Sequence, residues 1–211
     1  MNELKVFTED QRDCLQEIVN IAMGSAGDSL ARVVETFVRL SIPKIRTIRP
    51  NDMASALVSL SSSESDTVSA VRQSFQCDKG QDGLRGEALV VFSQESFQDL
   101  AELMAYDEIL TPEAEQELLL DISNILNGAC LNGIASQLST SLSYSPPSIL
   151  GQGMPVDELV QREALTWDQA LSVEINYSLE NRSFSCDLLL LMPGSSIDYL
   201  CIKLEELIEE D

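Results

Sequence analysis

The sequence predicts an α/β fold of the α+β type, in which a pseudo-twofold duplication sets two long helices, facing the same way, on one side of a largely antiparallel sheet. Three observations carry this prediction. First, "DCLQEIVNIAMG" at 13–24 and "ELLLDISNILNG" at 117–128 share an acid, a second acid, an asparagine and a glycine at identical spacings. Second, each segment is followed by two apolar runs joined by a polar turn too short for the crossover that parallel strands need. Third, each half closes on a further helical pattern.

In chain order, helical spacing of Leu15, Ile18, Val19, Ala22, Ala26, Leu30, Val33 and Phe37 predicts a helix from Thr8 to Leu40 with Asp10 as its cap. Pro43 ends it, because proline cannot continue a helix and pushes Ile42 toward extended geometry. Residues 44–66 read as a short strand and a loop. The alternating "TVSAVRQSFQ", the turn "DKGQDG" and the apolar "EALVVF" form an antiparallel hairpin, and Ser93 to Tyr106 a closing helix. The plan then repeats. Thr111 caps and Pro112 opens a helix to Ser143, with Leu119, Ile122, Leu126, Cys130 and Ile134 on one face and Pro146 and Pro147 after it. Residues 148–168 are again a strand and loop; "ALSVEINYSL", the turn "ENR" and "CDLLLLM" form the second hairpin, and Ser195 to Glu210 the last helix. Residues 1–211 are expected to form a single domain built of two repeats, about 8–106 and about 111–210, since neither repeat alone has the mass to bury both faces of its strands.

The bulk composition removes several classes of function. With 35 acidic against 13 basic residues, the formal charge of -22 repels phosphate backbones and anionic lipid, so neither nucleic acid nor membrane insertion is expected. The N-terminus lacks a signal-peptide pattern and no apolar run is read as long enough to span a membrane, which predicts a cytoplasmic protein. Five scattered cysteines without a CxxC spacing argue against a disulfide framework or a zinc site. There is no histidine, which excludes Ser-His-Asp, Cys-His and His-metal chemistry. No metal site is expected, and catalysis must use carboxylates, amides or groups of a partner.

The duplicated residues point away from the predicted core. At about 100° per residue, Glu17 lies roughly 40° round the helix from Asp13, Asn20 about 20° the other way, and Gly24 about 20° from Asp13. The apolar set is centred on the opposite side, so Asp13, Glu17, Asn20 and Gly24 face solvent or a partner. Glu117, Asp121, Asn124 and Gly128 obey the same geometry. A solvent-facing acid or amide on one helix is ordinary surface. A helix-interior glycine, however, costs about 1 kcal/mol relative to alanine and asparagine is a poor helix former, so placing both on an outward stripe twice lowers stability without helping the core. Close helix packing is a competing use for Gly24 and Gly128, and the nearby Gly27 and Gly133 leave the choice open.

The spacing Asp13-x3-Glu17-x2-Asn20-x22-Pro43 resembles the active-site signature of the CheC/CheX/FliY family of chemotaxis phosphatases, (Asp or Ser)-x3-Glu-x2-Asn-x22-Pro. The second copy, Glu117-x3-Asp121-x2-Asn124-x22-Pro147, keeps the spacing, the asparagine and the proline and departs at both acids. The tandem pair is similar to CheC rather than to single-site CheX, and the resemblance covers essentially the whole chain. It implies hydrolysis of the aspartyl phosphate of a CheY-like receiver domain, which brings its own Mg²⁺; no cofactor of the chain's own is implied. It also implies roles: Asn20 positions the attacking water, Glu17 pairs with the receiver's active-site lysine, Asp13 and Gly24 meet the partner, and Pro43 closes the loop. Asn124 and Asp121 would form a second, weaker site, with Glu117 and Gly128 as partner contacts and Pro147 as the matching structural residue. The alternative is an adaptor that binds phosphorylated CheY or the receptor deamidase CheD.

Overall fold

The computed structural model describes residues 7–49, 67–78, 83–93, 96–104, 111–155, 158–159 and 170–210. The expected loops over 50–66 and 156–169, apart from 158–159, and the expected boundary at 106–110 lie outside the described residues.

Helix α1 spans Glu9–Val34 and is capped by Thr8, not Asp10. The Thr8 hydroxyl accepts the Gln11 backbone N–H at 3.2 Å, and the Gln11 side-chain oxygen accepts the Thr8 N–H at 3.1 Å, a reciprocal capping box. Asp10 instead sits inside the first turn, where its charge suits the helix dipole. The helix also stops short of Leu40. Glu35 turns left-handed at φ 49°, and Val38–Leu40 becomes strand β1. Helical periodicity does not see this, because three residues with a free sheet edge beside them gain more from pairing than from continuing a β-branched stretch as helix. Phe37 consequently leaves the helical face and is 66% exposed.

Strands β2 (Lys44–Ile48), β3 (Thr67–Cys77) and β4 (Arg85–Ser93) follow, then helix α2 (Ser96–Leu103), shorter than the Ser93–Tyr106 expected. Helix α3 spans Pro112–Gln137 with Thr111 as its cap, the hydroxyl accepting the Ala114 N–H at 3.2 Å. It too ends early, and β5 (Leu142–Tyr144) occupies the expected helix end. Strands β6 (Ser148–Pro155), β7 (Ala170–Leu179) and β8 (Ser185–Pro193) and helix α4 (Gly194–Glu210) complete the described chain.

The eight strands form one antiparallel sheet in the order β1-β7-β8-β4-β3-β5, with β2 also on β7 and β6 also on β3. The pseudo-twofold runs through its middle, where Leu89 pairs with Leu189. The outer strands are exchanged: β1 and β2 pair with β7 of the later half, β5 and β6 with β3 of the earlier one. Symmetry holds to single bonds. Ser41 receives the Asn176 N–H on its hydroxyl at 3.0 Å and donates its own N–H to the Asn176 carbonyl, just as Ser145 does with Ser74.

Both helices α1 and α3 cover one face of the sheet. Leu15, Ile18, Val19, Ala22, Ala26 and Leu30 meet Leu119, Ile122, Leu126, Cys130 and Ile134 over Val71, Phe75, Val90, Val173, Ile175, Leu188 and Leu190. On the other face Val68, Ala70, Leu89, Val91, Leu189 and Leu191 form a second apolar cluster. Burial on both faces explains the unbroken apolar runs of β4 and β8. Helix α3 has the length and apolarity of a membrane span, contrary to the expectation that no apolar run does, but much of it is buried against α1 and the sheet, which makes it a core helix.

Candidate functional site

Helix α1 turns Asp13, Glu17 and Asn20 outward and exposed, with Gly24 half-buried in line with them. Helix α3 does the same with Glu117, Asp121, Asn124 and Gly128. Each stripe lies opposite the residues that dock its helix on the sheet, and the structure forms two separate stripes on two helices.

The glycines divide cleanly between two uses. A Cβ added at Gly133 would lie 2.8 Å from Ala22 Cα, and one at Gly27 would lie 2.9 Å from a Leu40 methyl, so these two let elements approach closely. Among the described residues, a Cβ at Gly24 or Gly128 would meet nothing within 4 Å. The packing explanation therefore belongs to Gly27 and Gly133. No described neighbour requires the missing Cβ at either stripe glycine, and each costs its helix about 1 kcal/mol.

Pro43 is buried at the end of the connector from β1 to β2, and its carbonyl accepts a hydrogen bond from Gln16 Nε2 at 3.2 Å. Pro147 is half-buried in the equivalent connector before β6. At the position corresponding to Gln16 the second helix has Leu120, which has no amide to donate. The flanks differ as well: Ile21 beside the first stripe is 45% exposed, whereas its counterpart Ile125 is half-buried. Gln16 and Ile21 escape sequence reasoning because one acts on a backbone carbonyl and the other looks like an ordinary apolar helix residue.

The stripes are convex. Two of the clefts among the described residues, of about 200 and about 330 Å³, are lined by Phe7, Arg12, Ile45, Arg46, Thr47 and Leu171 and by Ser74, Phe75, Gln76, Ser143, Tyr144 and Ser145, none of them a stripe residue. An acid and an amide on the outward face of one helix do not by themselves enclose a small molecule as a ligand pocket does. Among the described residues no group of three or more Cys, Asp or Glu side chains is placed to hold a metal ion.

A polar cluster that sequence reasoning missed lies on the sheet face away from α1 and α3. Glu174, 3% exposed, pairs with Arg46 of β2 at 2.9 Å. Asn176 Nδ2 donates to Asp187 Oδ1 at 2.9 Å. Burial pushes the Asp187 carboxyl up from 3.8 to about 6, a rise that the Asn176 bond and Lys44 reduce and Glu174 increases. The available signal was an acid in each of two strands that otherwise read as core. In the helix-side core, burial pushes the Cys130 thiol up to about 12 and Tyr177 well above its ordinary value, so both stay neutral and take no part in acid–base work near pH 7.

No protein-family model matches the chain, and no curated protein matches it in sequence. Solved structures do match it. FliY of Thermotoga maritima is 18% identical, with a TM-score of 0.70 over 96% of this chain and 99% of that one. A FliM middle domain from Vibrio alginolyticus is 12% identical, with a TM-score of 0.59 over 88% and 96%. A CheC-like superfamily protein from Shewanella is 12% identical, with a TM-score of 0.56 over 84% and 98%. A CheX structure also matches. The fold is thus that of CheC, CheX and FliY proteins, shared with FliM middle domains.

Proposed function

We propose that this chain, built on the CheC/CheX/FliY fold, hydrolyses the aspartyl phosphate of a CheY-like chemotaxis receiver domain. The observation that carries the reading is the outward stripe of acid, acid, amide and glycine, made twice on convex helix faces where the fold itself needs neither the amide nor the glycine. An acyl phosphate is already activated, and the receiver brings its own Mg²⁺, so the protein has only to position water in line and hold the partner in register. Asn20 orients that water through its carboxamide oxygen. Glu17 pairs with the receiver's active-site lysine and helps to exclude bulk solvent. Asp13 contacts the partner, and the open side of Gly24 admits its backbone. On α3, Asn124 keeps the amide while Asp121 is one methylene shorter than Glu17, which leaves a second, slower site flanked by Glu117 and Gly128. Such a protein works in the cytoplasm.

The test is phosphate release from a purified phospho-receiver with wild type, Asn20→Ala and Asn124→Ala. Asn20→Ala should lose most of the activity and Asn124→Ala less. An equal loss at both, or a loss only at Asn124, reverses the ranking of the sites. The competing reading is an adaptor that binds phosphorylated CheY or a CheD-type deamidase without hydrolysis. It is favoured by the FliM middle domains, whose sharing of the fold means that the fold alone does not select catalysis over binding. Measurable binding with unchanged phosphate decay would establish it.

A further inference from the structure

We infer that the connector Leu40–Pro43 is a receiver-docking element beside the first stripe, with Ile42 as its apolar contact to the receiver and Gln16 as the positioning residue that holds it; this rests on the phosphatase reading above. Two contacts fix the connector against α1. Leu40 fills the gap left by Gly27, and the Pro43 carbonyl accepts the Gln16 amide at 3.2 Å. Leu40 thus lies beside the later residue of α1 and Pro43 beside the earlier one, so the connector runs antiparallel to the helix. Gln16 and Gly27 both lie about 20–40° from Asn20 on the same side of the helical wheel, which places the connector along the flank of the stripe.

Within the connector, Ser41 faces the sheet edge, bonded to Asn176 through both its backbone and its hydroxyl. Ile42 lies between the two contacts that hold the connector to α1, in a stretch with one residue more than the facing part of β7. Ile42 is 81% exposed, and Ile21, on the far flank of the stripe, is 45% exposed. Asp13, Glu17 and Asn20 therefore lie between the flank that carries this connector, with its exposed Ile42, and the exposed Ile21. On a chain of charge -22, acids flanked by apolar groups suit a partner face that sets a cation among apolar residues, and the receiver's lysine-bearing phosphorylation face is the occupant assigned here.

The second stripe is an internal control. There Leu120 replaces Gln16, buried Leu131 replaces Gly27, Pro146 replaces Ile42, and Ile125 is half-buried. The Tyr144 hydroxyl, on the residue equivalent to Leu40, bonds to Asn132 at 2.6 Å instead. The stripe is made twice, but the Gln16 and Gly27 contacts that hold a connector along its flank have no counterpart residues in the second copy.

The experiment measures kcat and KM for phosphate release from an acetyl-phosphate-labelled receiver, and Kd for the same receiver carrying beryllofluoride, with wild type, Ile42→Ser, Gln16→Leu and Ile125→Ser. Ile42→Ser should raise KM and Kd about tenfold and leave kcat within about twofold. Gln16→Leu should raise KM in the same direction by a smaller factor, with Gln16→Lys, which can still donate to the Pro43 carbonyl, recovering part of it; Ile125→Ser should change neither constant. An active wild type whose KM and Kd are unmoved by Ile42→Ser, or a fall in kcat at constant KM, overturns this inference and leaves the phosphatase reading standing. Wild type that binds the beryllofluoride receiver but releases no phosphate overturns the phosphatase reading, and the Kd of Ile42→Ser then decides the connector's role. Absence of both release and binding overturns both.

Discussion

Gly133 of α3 lies so close to Ala22 of α1 that a Cβ on it would sit 2.8 Å from the Ala22 Cα. A backbone atom cannot step aside as a side-chain tip can. Gly133→Ala should therefore lose stability despite better helix propensity: overpacking costs about 1–3 kcal/mol, against about 1 kcal/mol gained. A net loss of about 1 kcal/mol would appear as a fall in Tm of roughly 2–4 °C.

Gly24→Ala and Gly128→Ala should do the opposite. With none of the described residues within 4 Å of the new methyl, each should gain up to about 1 kcal/mol in helix stability and raise Tm. Under the proposed function Gly24→Ala should at the same time slow phosphate release. A Tm that falls in Gly24→Ala would mean that the stripe glycine has a structural role after all.

Thr8→Ala removes half of the capping box at the start of α1 and should cost about 1 kcal/mol in a denaturant titration. Asp10→Asn changes only a first-turn charge and should cost a few tenths. Equal losses would return the capping role to Asp10.

Asp187 makes stability depend on pH in a direction opposite to that of a salt-bridged carboxylate. Its folded-state value, about 6, lies above its ordinary 3.8, so between these the folded chain binds more protons than the unfolded one. The group's contribution is then most favourable below pH 4 and is lost as pH rises through 6, by on the order of 2–3 kcal/mol. Asp187→Asn retains an oxygen for the Asn176 amide and removes this penalty. It should be more stable than wild type at pH 7.5 and nearly equal to it at pH 4; a constant difference across that range would rule the titration out.

Asn20→Ala should reduce phosphate release about 10²-fold, the order expected when a reacting water is no longer positioned. In that background Asp121→Glu should raise the remaining activity, because it restores the methylene missing from the second stripe. If Asp121→Glu leaves the rate unchanged, side-chain length is not what limits α3.

Sequence periodicity made the paired long helices, the two hairpins and the outward stripes legible, because each rests on a repeat several residues long. It did not reveal β1 and β5. Three residues carry no period, and what makes Val38–Leu40 a strand is the edge of β7, whose residues are distant in sequence. Glycine roles were equally hidden: Gly24 and Gly27 look alike in sequence, and only the neighbour at Leu40 separates them. The connector bond from Gln16 and the buried Asp187 depend on the same kind of long-range encounter.

The exchanged outer strands also bear on how the chain is made. Ser41 and its partner Asn176 are 135 residues apart, so β1 and β2 emerge from the ribosome long before the strand they complete has been translated. During that interval they are unpaired sheet edges, the kind of surface on which nascent chains stick to one another. The segment itself carries Arg39, Lys44, Arg46 and Arg49 and no acid, and like charges on an open edge oppose its pairing with the same edge of another incomplete copy until β7 arrives.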